Sequence, residues 1–480
     1  MLLVSIGRVA QFAILLLTLH LATSFLAPSE MGKISIVTAT VAFFALFLLN
    51  PVGLFMNRRL HAWDSKGQVR NYLAYFWLYL FIVSICAALI LIMLSWFNIL
   101  KLGISIYWLL FLVCGNLIFA TVNQVVIPGL NLFGHRGWFT FLTVATAVMS
   151  LIFAVALVYA LVPSAENWLT GLLLGQLVVG MIGKKIFFGK LQSSSSVSNE
   201  TPKLSYSQLK SLLKFAWPVA IAVGLGWVQS QGYRYLMGSS LGLIELGLFV
   251  AGFGISSGLI AGFDSVFSTY FQPKFYKKIS KDNISEQSSA WIEYAHAVLP
   301  ALLLTSIFIM VMAQELTNLL LGAVYSQSAQ FVVWGALAEL ARTSTAVFGM
   351  VAHARMNTRM LLLPNLVGAL LSILLIWNFA PIYGSSGVGA GLACSSLVSL
   401  LLTIRITKNN FSVVLPVNIF IKSIVIGAGI FLIAEILRVT LNYDGSNLFS
   451  FVRLCVIGLI FISAQYFMLI PVLKRDRLSF

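Results

Sequence analysis

Six ionisable residues stand in stretches of sequence otherwise too apolar to hold them: Arg234, Asp264, Glu339, Arg342, Glu435 and Arg438. In the hydrocarbon of a membrane each costs at least about 2.5–3.5 kcal/mol, so each needs a partner or a task. Arg234 lies in the polar run Ser230-Gln231-Gly232-Tyr233-Arg234-Tyr235. A cation between Tyr233 and Tyr235 offers a charge to an anion and two apolar-bodied, polar-tipped rings of the kind on which sugars stack. The structural alternative is an Arg reaching out along its helix to the nearer interface, one turn away at Gly238 to Ser240.

Asp264 lies about eight residues, or about 12 Å of helix, inside its apolar stretch. A carboxylate there can carry a proton, or can simply be held by Ser265, Ser268 and Thr269. On neighbouring helices, Arg234 and Asp264 are expected to line one cavity at different depths. Glu339 and Arg342, at i and i+3, share a helix face and can pair. Read structurally, the pair makes two charges tolerable in lipid. Read functionally, Arg342 meets a pyrophosphate while Glu339 takes a proton. Glu435 and Arg438 repeat the spacing nearer the C-terminus and are assigned a structural or lipid-contact role. His20 stands alone on an apolar helix, as a packing residue or, since imidazole titrates near neutral pH, as a proton carrier. Cys86, Cys114, Cys394 and Cys455 are scattered through apolar runs, so neither a disulfide framework nor a zinc site is expected, and no cofactor.

The elements that carry these charges must be membrane helices. The 480 residues are 60% hydrophobic and 9% charged, with a mean hydropathy of +0.97. A soluble chain carries about a quarter charged residues, so two or three soluble domains are excluded. A crossing helix needs about 20 apolar residues. Fourteen such runs lie near 4–27, 34–56, 72–97, 105–128, 139–162, 168–189, 215–238, 246–271, 291–313, 330–352, 361–380, 387–405, 419–440 and 449–472. Residues 4–27 have the look of a signal peptide, but the apolar pattern resumes directly after Pro28, and they are read as a retained first span.

Net charge is +16 and the isoelectric point near 9.8. On a soluble protein that balance points to nucleic acid; here it reports topology, and no nucleic-acid partner is expected. With fourteen spans, alternate loops and the two ends hold 24 of the Lys and Arg residues. The opposite loops hold 4: Lys33, Lys101, Arg438 and Arg453. The asymmetry puts both termini in the cytoplasm. For an anionic substrate, Arg8, Arg58, Arg59 and Arg136 could supply an entry field; Arg58, Arg59 and the lysines are read as setting topology and meeting anionic lipids. Arg8 lies in a core helix and is kept as a candidate. The loops are short, with no P-loop and no loop-borne His/Asp/Glu cluster, which argues against an ATP-driven pump and against an enzyme.

The two halves of the chain resemble each other. Ser29-Glu30-Met31-Gly32 after the first span matches Ile244-Glu245-Leu246-Gly247 after the seventh, an offset of 215. Pro163 precedes Gly171 by eight residues, as Pro381 precedes Gly389, an offset of 218. His20 falls at the repeat position of Tyr235. These matches give a six-plus-six duplication: a bundle in 1–190, a Ser-rich cytoplasmic linker in 191–213, a second bundle in 214–407, and two added helices with a tail in 408–480. The expected fold is all-α and polytopic, its two six-helix bundles related by a pseudo-twofold axis along the membrane normal. Parallel repeats of this kind are a recurring transporter plan.

With the Glu-x-Gly loops, the short outer loops and the connection Asn131-Leu132-Phe133-Gly134-His135-Arg136, the chain resembles the Wzx-type polysaccharide flippases of the multidrug/oligosaccharidyl-lipid/polysaccharide exporter superfamily. The resemblance implies movement of an undecaprenyl-pyrophosphate-linked oligosaccharide across the bacterial inner membrane, from cytoplasmic to periplasmic leaflet. It implies membrane lipids as surroundings, H+ or Na+ as coupling ion, and a polysaccharide polymerase and chain-length regulator as pathway partners. Arg234, Tyr233, Tyr235, Arg342, Glu339, Asp264 and Arg8 become cavity candidates, and Asp264, Glu339 and His20 coupling candidates. A lipid II flippase, a cation-coupled multidrug exporter and a polytopic polymerase are the alternatives.

Overall fold

The computed structural model describes residues 2–64, 68–97, 103–190, 206–279, 284–354, 358–410, 417–440 and 447–478. Among these residues the chain is almost wholly helical and has no strand. The helices are α1 (Leu2–Phe25), α2 (Pro28–Phe44), α3 (Asn50–Asp64), α4 (Val69–Trp96), α5 (Ile106–Leu132), α6 (Arg136–Ala160), α7 (Ala165–Lys190) and α8 (Tyr206–Gln231). They continue with α9 (Tyr233–Ser240), α10 (Leu243–Ile279), α11 (Ile284–Val311), α12 (Ala313–Leu320), α13 (Ala329–Ala354), α14 (Leu362–Asn410), α15 (Val417–Thr440) and α16 (Asn447–Leu478).

Twelve helical stretches among the described residues are long and apolar enough to cross a membrane. One of them, Arg359–Asn409, contains the expected eleventh and twelfth spans. Gly384, at φ 59°, breaks it at the place where a short loop was expected; that left-handed backbone suits glycine. The tenth expected span, α13, is as long as its neighbours but carries Glu339 and Arg342 in mid-course, which lowers its hydropathy. The chain is a multi-pass membrane protein. Large apolar side chains such as Trp96, Tyr159 and Val439 lie on its outside, as lipid-facing surface allows.

Local sequence explains the helix ends and the tight contacts. Pro28 opens α2, where its missing N–H is no loss. Ser105 caps α5 through the Trp108 N–H. Gly171 and Gly175, four apart on α7, let that helix lie on the backbone of α6: a Cβ at either position would sit 2.3 Å from Ala154 or Ser150. This is the small-xxx-small rule of membrane packing, where small residues let dispersion act between whole backbones. The Ser150 hydroxyl adds a hydrogen bond to the Leu172 carbonyl at 3.0 Å.

By packing, the chain forms two compact units: Met1–Thr18 with Phe25–Ser239, and Leu19–Ser24 with Ser240–Phe480. This grouping by contact is a different matter from the repeat read in the sequence. In unit 1, α8 lies against α3 and the π-helical turn Ala45–Leu49 that joins α2 to α3. In unit 2, α13 packs on α10, α11 and α14 around a core that includes Trp291, whose indole N–H donates to the Val347 carbonyl at 3.1 Å.

Two stretches differ from the sequence expectation. Of the linker 191–213, residues 191–205 lie outside the described residues, while α8 has already begun at Tyr206. The connection 314–329, expected as a plain loop, holds α12 and a 3-10 turn, Ala323–Ser328. The short α12 is amphipathic, so its apolar side buries Ala313 and Leu316 in unit 2 even though the stretch is too polar to span.

Candidate functional site

In unit 2, α13 and α10 bring three of the candidate charges near one another. Arg342 donates from Nε to Glu339 Oε2 at 2.8 Å, the i, i+3 pairing that the spacing predicts, and Nη2 reaches the same oxygen. The Glu339 side chain is 8% exposed and that of Arg342 51%, so the carboxylate is enclosed and the guanidinium keeps an open side. Asp264 on α10 is half-buried and within electrostatic reach of Arg342. Tyr294 on α11 also feels Asp264 and shares a hydrogen bond with Gln272. With both acids ionised, one guanidinium and two carboxylates carry one net negative charge. A proton taken by either acid neutralises it, and an anion could draw the guanidinium away.

Arg234 belongs to unit 1. Gly232 ends α8, and α9 restarts at Tyr233. There Arg234 Nη1 donates to the Ser35 carbonyl at 3.0 Å and to Thr38 Oγ1 at 3.2 Å, both on α2. Tyr235 shares a 2.7 Å hydrogen bond with Thr40, and the Trp227 indole donates to the Ala39 carbonyl at 3.0 Å. Tyr233 is buried, with the Arg234 guanidinium 5.7 Å from its ring. The polar run is therefore stitched to one face of α2. Arg234 Nε and Ser35 Oγ are both buried there without a hydrogen-bond partner among the described residues.

Arg8 is exposed on α1, bonded to Gln11 and 5.8 Å from the Phe139 ring. His20 lies in the last turns of α1, which pack with unit 2; its Nδ1 is buried with no hydrogen-bond partner among the described residues. Nearby, the Gly322 N–H donates to Thr23 Oγ1 at 3.0 Å. Of the expected entry field, Arg59 is exposed with its guanidinium 4.7 Å from the Phe55 ring, while the Arg58 side chain lies outside the described residues.

Two further relations were not visible in the sequence. Glu30, at the start of α2, accepts the Ala165 N–H at the start of α7 (2.7 Å), and Glu245, at the start of α10, accepts the Ser385 hydroxyl just past Gly384. In each half, the Glu-x-Gly motif thus touches the segment that follows the Pro-x7-Gly proline. The second relation is an ionic cluster in unit 2. Arg438 of α15 makes two bonds to Glu315 of α12, Nε to Oε1 at 3.0 Å and Nη2 to Oε2 at 2.9 Å, and also bonds Glu435. Arg453 of α16 lies 3.7 Å from the same Glu315. Three of the four bases on the sparsely charged side are thereby paired, since Lys33 bonds Glu30 at 2.8 Å. Glu315 escaped notice because it stood in an apparent loop; two arginines in the base-poor set of loops were the signal that an acid awaited them.

No family model matches the chain, and no curated protein matches it in sequence. Its fold is nevertheless that of solved membrane transporters. The lipid II flippase MurJ in an inward closed conformation superposes with a TM-score of 0.72 at 12% identity, over 98% of this chain and 100% of that one. A multidrug resistance MATE family transporter of the MOP superfamily superposes with TM-scores of 0.58 in its outward-facing and 0.56 in its inward-facing conformation. Identity there is 14% and 15%, over 85% of this chain and 93% and 94% of that one. At such identities the likeness establishes the fold.

Proposed function

We propose that the chain is a flippase of the multidrug/oligosaccharidyl-lipid/polysaccharide exporter superfamily. In this reading it moves an undecaprenyl-pyrophosphate-linked oligosaccharide from the cytoplasmic to the periplasmic leaflet of a bacterial inner membrane. The observation that carries the reading is coverage. The lipid II flippase fold accounts for 98% of the chain, while the drug-transporter fold leaves out a share about the size of the two added C-terminal spans. A lipid-linked substrate is thereby favoured over a small cationic drug, and the unusual arginines agree, since a pyrophosphate needs cations along its route. Both termini are cytoplasmic, and the two six-helix bundles exchange between inward- and outward-open forms.

In this mechanism Arg342 releases Glu339 to meet the pyrophosphate, and Asp264 or Glu339 takes the proton that keeps the cluster from gaining net charge; Na+ is the alternative coupling ion. Arg234, bonded to α2 together with Tyr235, shapes the sugar path by holding α9 in place, and Arg8 contributes to the entrance. His20 is the remaining coupling candidate. The test is deletion of the gene followed by extraction of carrier lipids. Completed oligosaccharide units accumulating on the inner leaflet support the reading. Unfinished units point to an enzyme, and unchanged carrier lipids point to drug export.

A second reading is favoured by the same superposition: transport of lipid II itself, the substrate in the name of the MurJ structure. Both substrates are polyprenyl-pyrophosphate-linked saccharides. Accumulation of the cell-wall precursor in place of the oligosaccharide unit would select this second reading.

A further inference from the structure

At the base-rich end of unit 1, a cleft of about 550 Å3 opens between α3, α4 and α8. Its origin is the π turn Ala45–Leu49. A π turn displaces one residue from the α-helical ladder and marks sites where a helix changes course. The Leu48 carbonyl accepts a hydrogen bond from the Tyr79 hydroxyl of α4 at 2.9 Å, which pins the turn. Beyond it, α3 leans on α8 and touches α4 chiefly where Trp63 stacks on Tyr72 with ring centroids 4.2 Å apart. The wedge left between α3 and α4 is the cleft.

The cleft has one kind of wall and one kind of end. Aromatic rings, Phe47, Phe55, Phe76 and Trp217 among them, make up much of the lining, with Arg59 the single ionised side chain in it among the described residues. Trp217 is 62% exposed, so the rim is open to the surrounding lipid. The apolar walls give ordered water few partners, and the volume falls within the range of ligand sites. A long apolar slot that ends in one cation complements a chain that ends in one anion.

We propose that this cleft holds the phosphate-proximal isoprene units of the carrier lipid, with Arg59 on its phosphate. The proposal rests on the flippase reading above, and deepens it by placing the lipid part of the substrate on unit 1. The ring faces meet the methyl and allylic C–H groups that a polyprenyl chain presents in every five-carbon unit. The guanidinium, now resting on Phe55, is the donor nearest the base-rich interface where the phosphate must lie.

The test uses the full-length protein in nanodiscs and a polyprenyl monophosphate with a diazirine on a phosphate-proximal isoprene unit. Labelling is expected on the peptides that contain Phe55 and Trp217, and excess unlabelled polyprenyl phosphate should remove it. Ala220→Trp, which fills the cleft, should abolish labelling. Arg59→Gln should weaken it about tenfold, the loss of one charge-assisted hydrogen bond. Arg59 is exposed, so this variant carries the test if the bulky one does not fold. Equal competition by phosphatidylglycerol would mean an ordinary boundary lipid and overturn the proposal, as would labelling elsewhere or labelling indifferent to both variants. Carrier lipids extracted from cells separate the two levels. Normal export by variants that no longer label overturns the cleft as a substrate site and leaves the flippase standing, whereas a null result in the gene deletion overturns the flippase reading itself.

Discussion

Glu30 reaches the first turn of α7, its Oε2 accepting the backbone N–H of Ala165 at 2.7 Å. Glu245 makes the corresponding reach to Ser385 in unit 2. A carboxylate at a helix start satisfies an N–H that the helix cannot and sits well in the helix dipole. Each contact also ties the first turn of a second-span helix to the start of a sixth. Glu30→Ala is expected to destabilise unit 1 by about 1 kcal/mol, the usual loss of a cap, and Glu30→Gln by less, because an acceptor remains. Thermal unfolding in detergent, followed by tryptophan fluorescence, checks the order wild type, Gln, Ala.

Glu315 is 2% exposed and meets two guanidiniums, those of Arg438 and Arg453. The arrangement fastens α15 and α16, which the sequence sets outside the repeat, to α12. Removing one partner of a buried pair leaves a charge uncompensated and costs about 3–5 kcal/mol. Glu315→Gln is therefore expected to lower the folded yield and expose the last two helices to protease. Replacing Glu315 by Gln together with Arg438 by Gln should recover part of the loss, because only one of the two arginines that met Glu315, Arg453, is then left without it, and the Glu435 that Arg438 gives up is half-exposed. Limited proteolysis of both variants in membranes decides it.

How much of this was legible beforehand depends on the kind of information each residue carries. Span positions follow from a one-dimensional quantity, apolar length, and the helices are found where apolar runs of sufficient length stand. The pairing of Glu339 with Arg342 was also legible, because helical geometry fixes which side chains three apart can meet. Contacts between distant helices were not. That Glu30 and Pro163 belong to one junction, or that Arg234 would bond to Ser35 and Thr38, depends on helix rotation and tilt, which packing sets. Glu315 was missed for a third reason. A short amphipathic helix between two spans has the composition of a loop.

Arg234 spends its hydrogen bonds on α2, and its geometry distinguishes charge from shape. Nη1 serves the Ser35 carbonyl and Thr38 together from a rigid, planar guanidinium, a placement that a lysine ammonium at the end of a flexible stem does not hold. If the residue acts only as a cation for substrate, Arg234→Lys should keep most of the export of the wild type. If holding α9 to α2 is what matters, Lys should fall nearly as far as Ala. We expect the second outcome, with export at normal abundance reduced about tenfold in both, as loss of a charge-assisted bond implies. Surface polysaccharide measured against protein level reads this directly, with Lys278→Ala, a change in an exposed ion pair, as the control.

The Glu339–Arg342 pair and Asp264 make a stronger test, because a structural salt bridge and a working one respond differently to removal of both partners. Arg342→Gln leaves the enclosed Glu339 carboxylate without its donor, and should lower both stability and export. Glu339→Gln with Arg342→Gln removes the unpaired charge, so stability should return. A purely structural pair would then give back export as well. In the mechanism proposed here the guanidinium is needed for the pyrophosphate, and export should stay low in the stable double variant. Asp264→Asn adds the last discrimination. It keeps the size of the side chain and a hydrogen-bonding carbonyl but removes the site for a proton. The variant is expected to fold normally and to lose the effect of an imposed proton gradient on flipping in proteoliposomes. Full gradient response in Asp264→Asn would assign the coupling to Glu339 or to His20 instead.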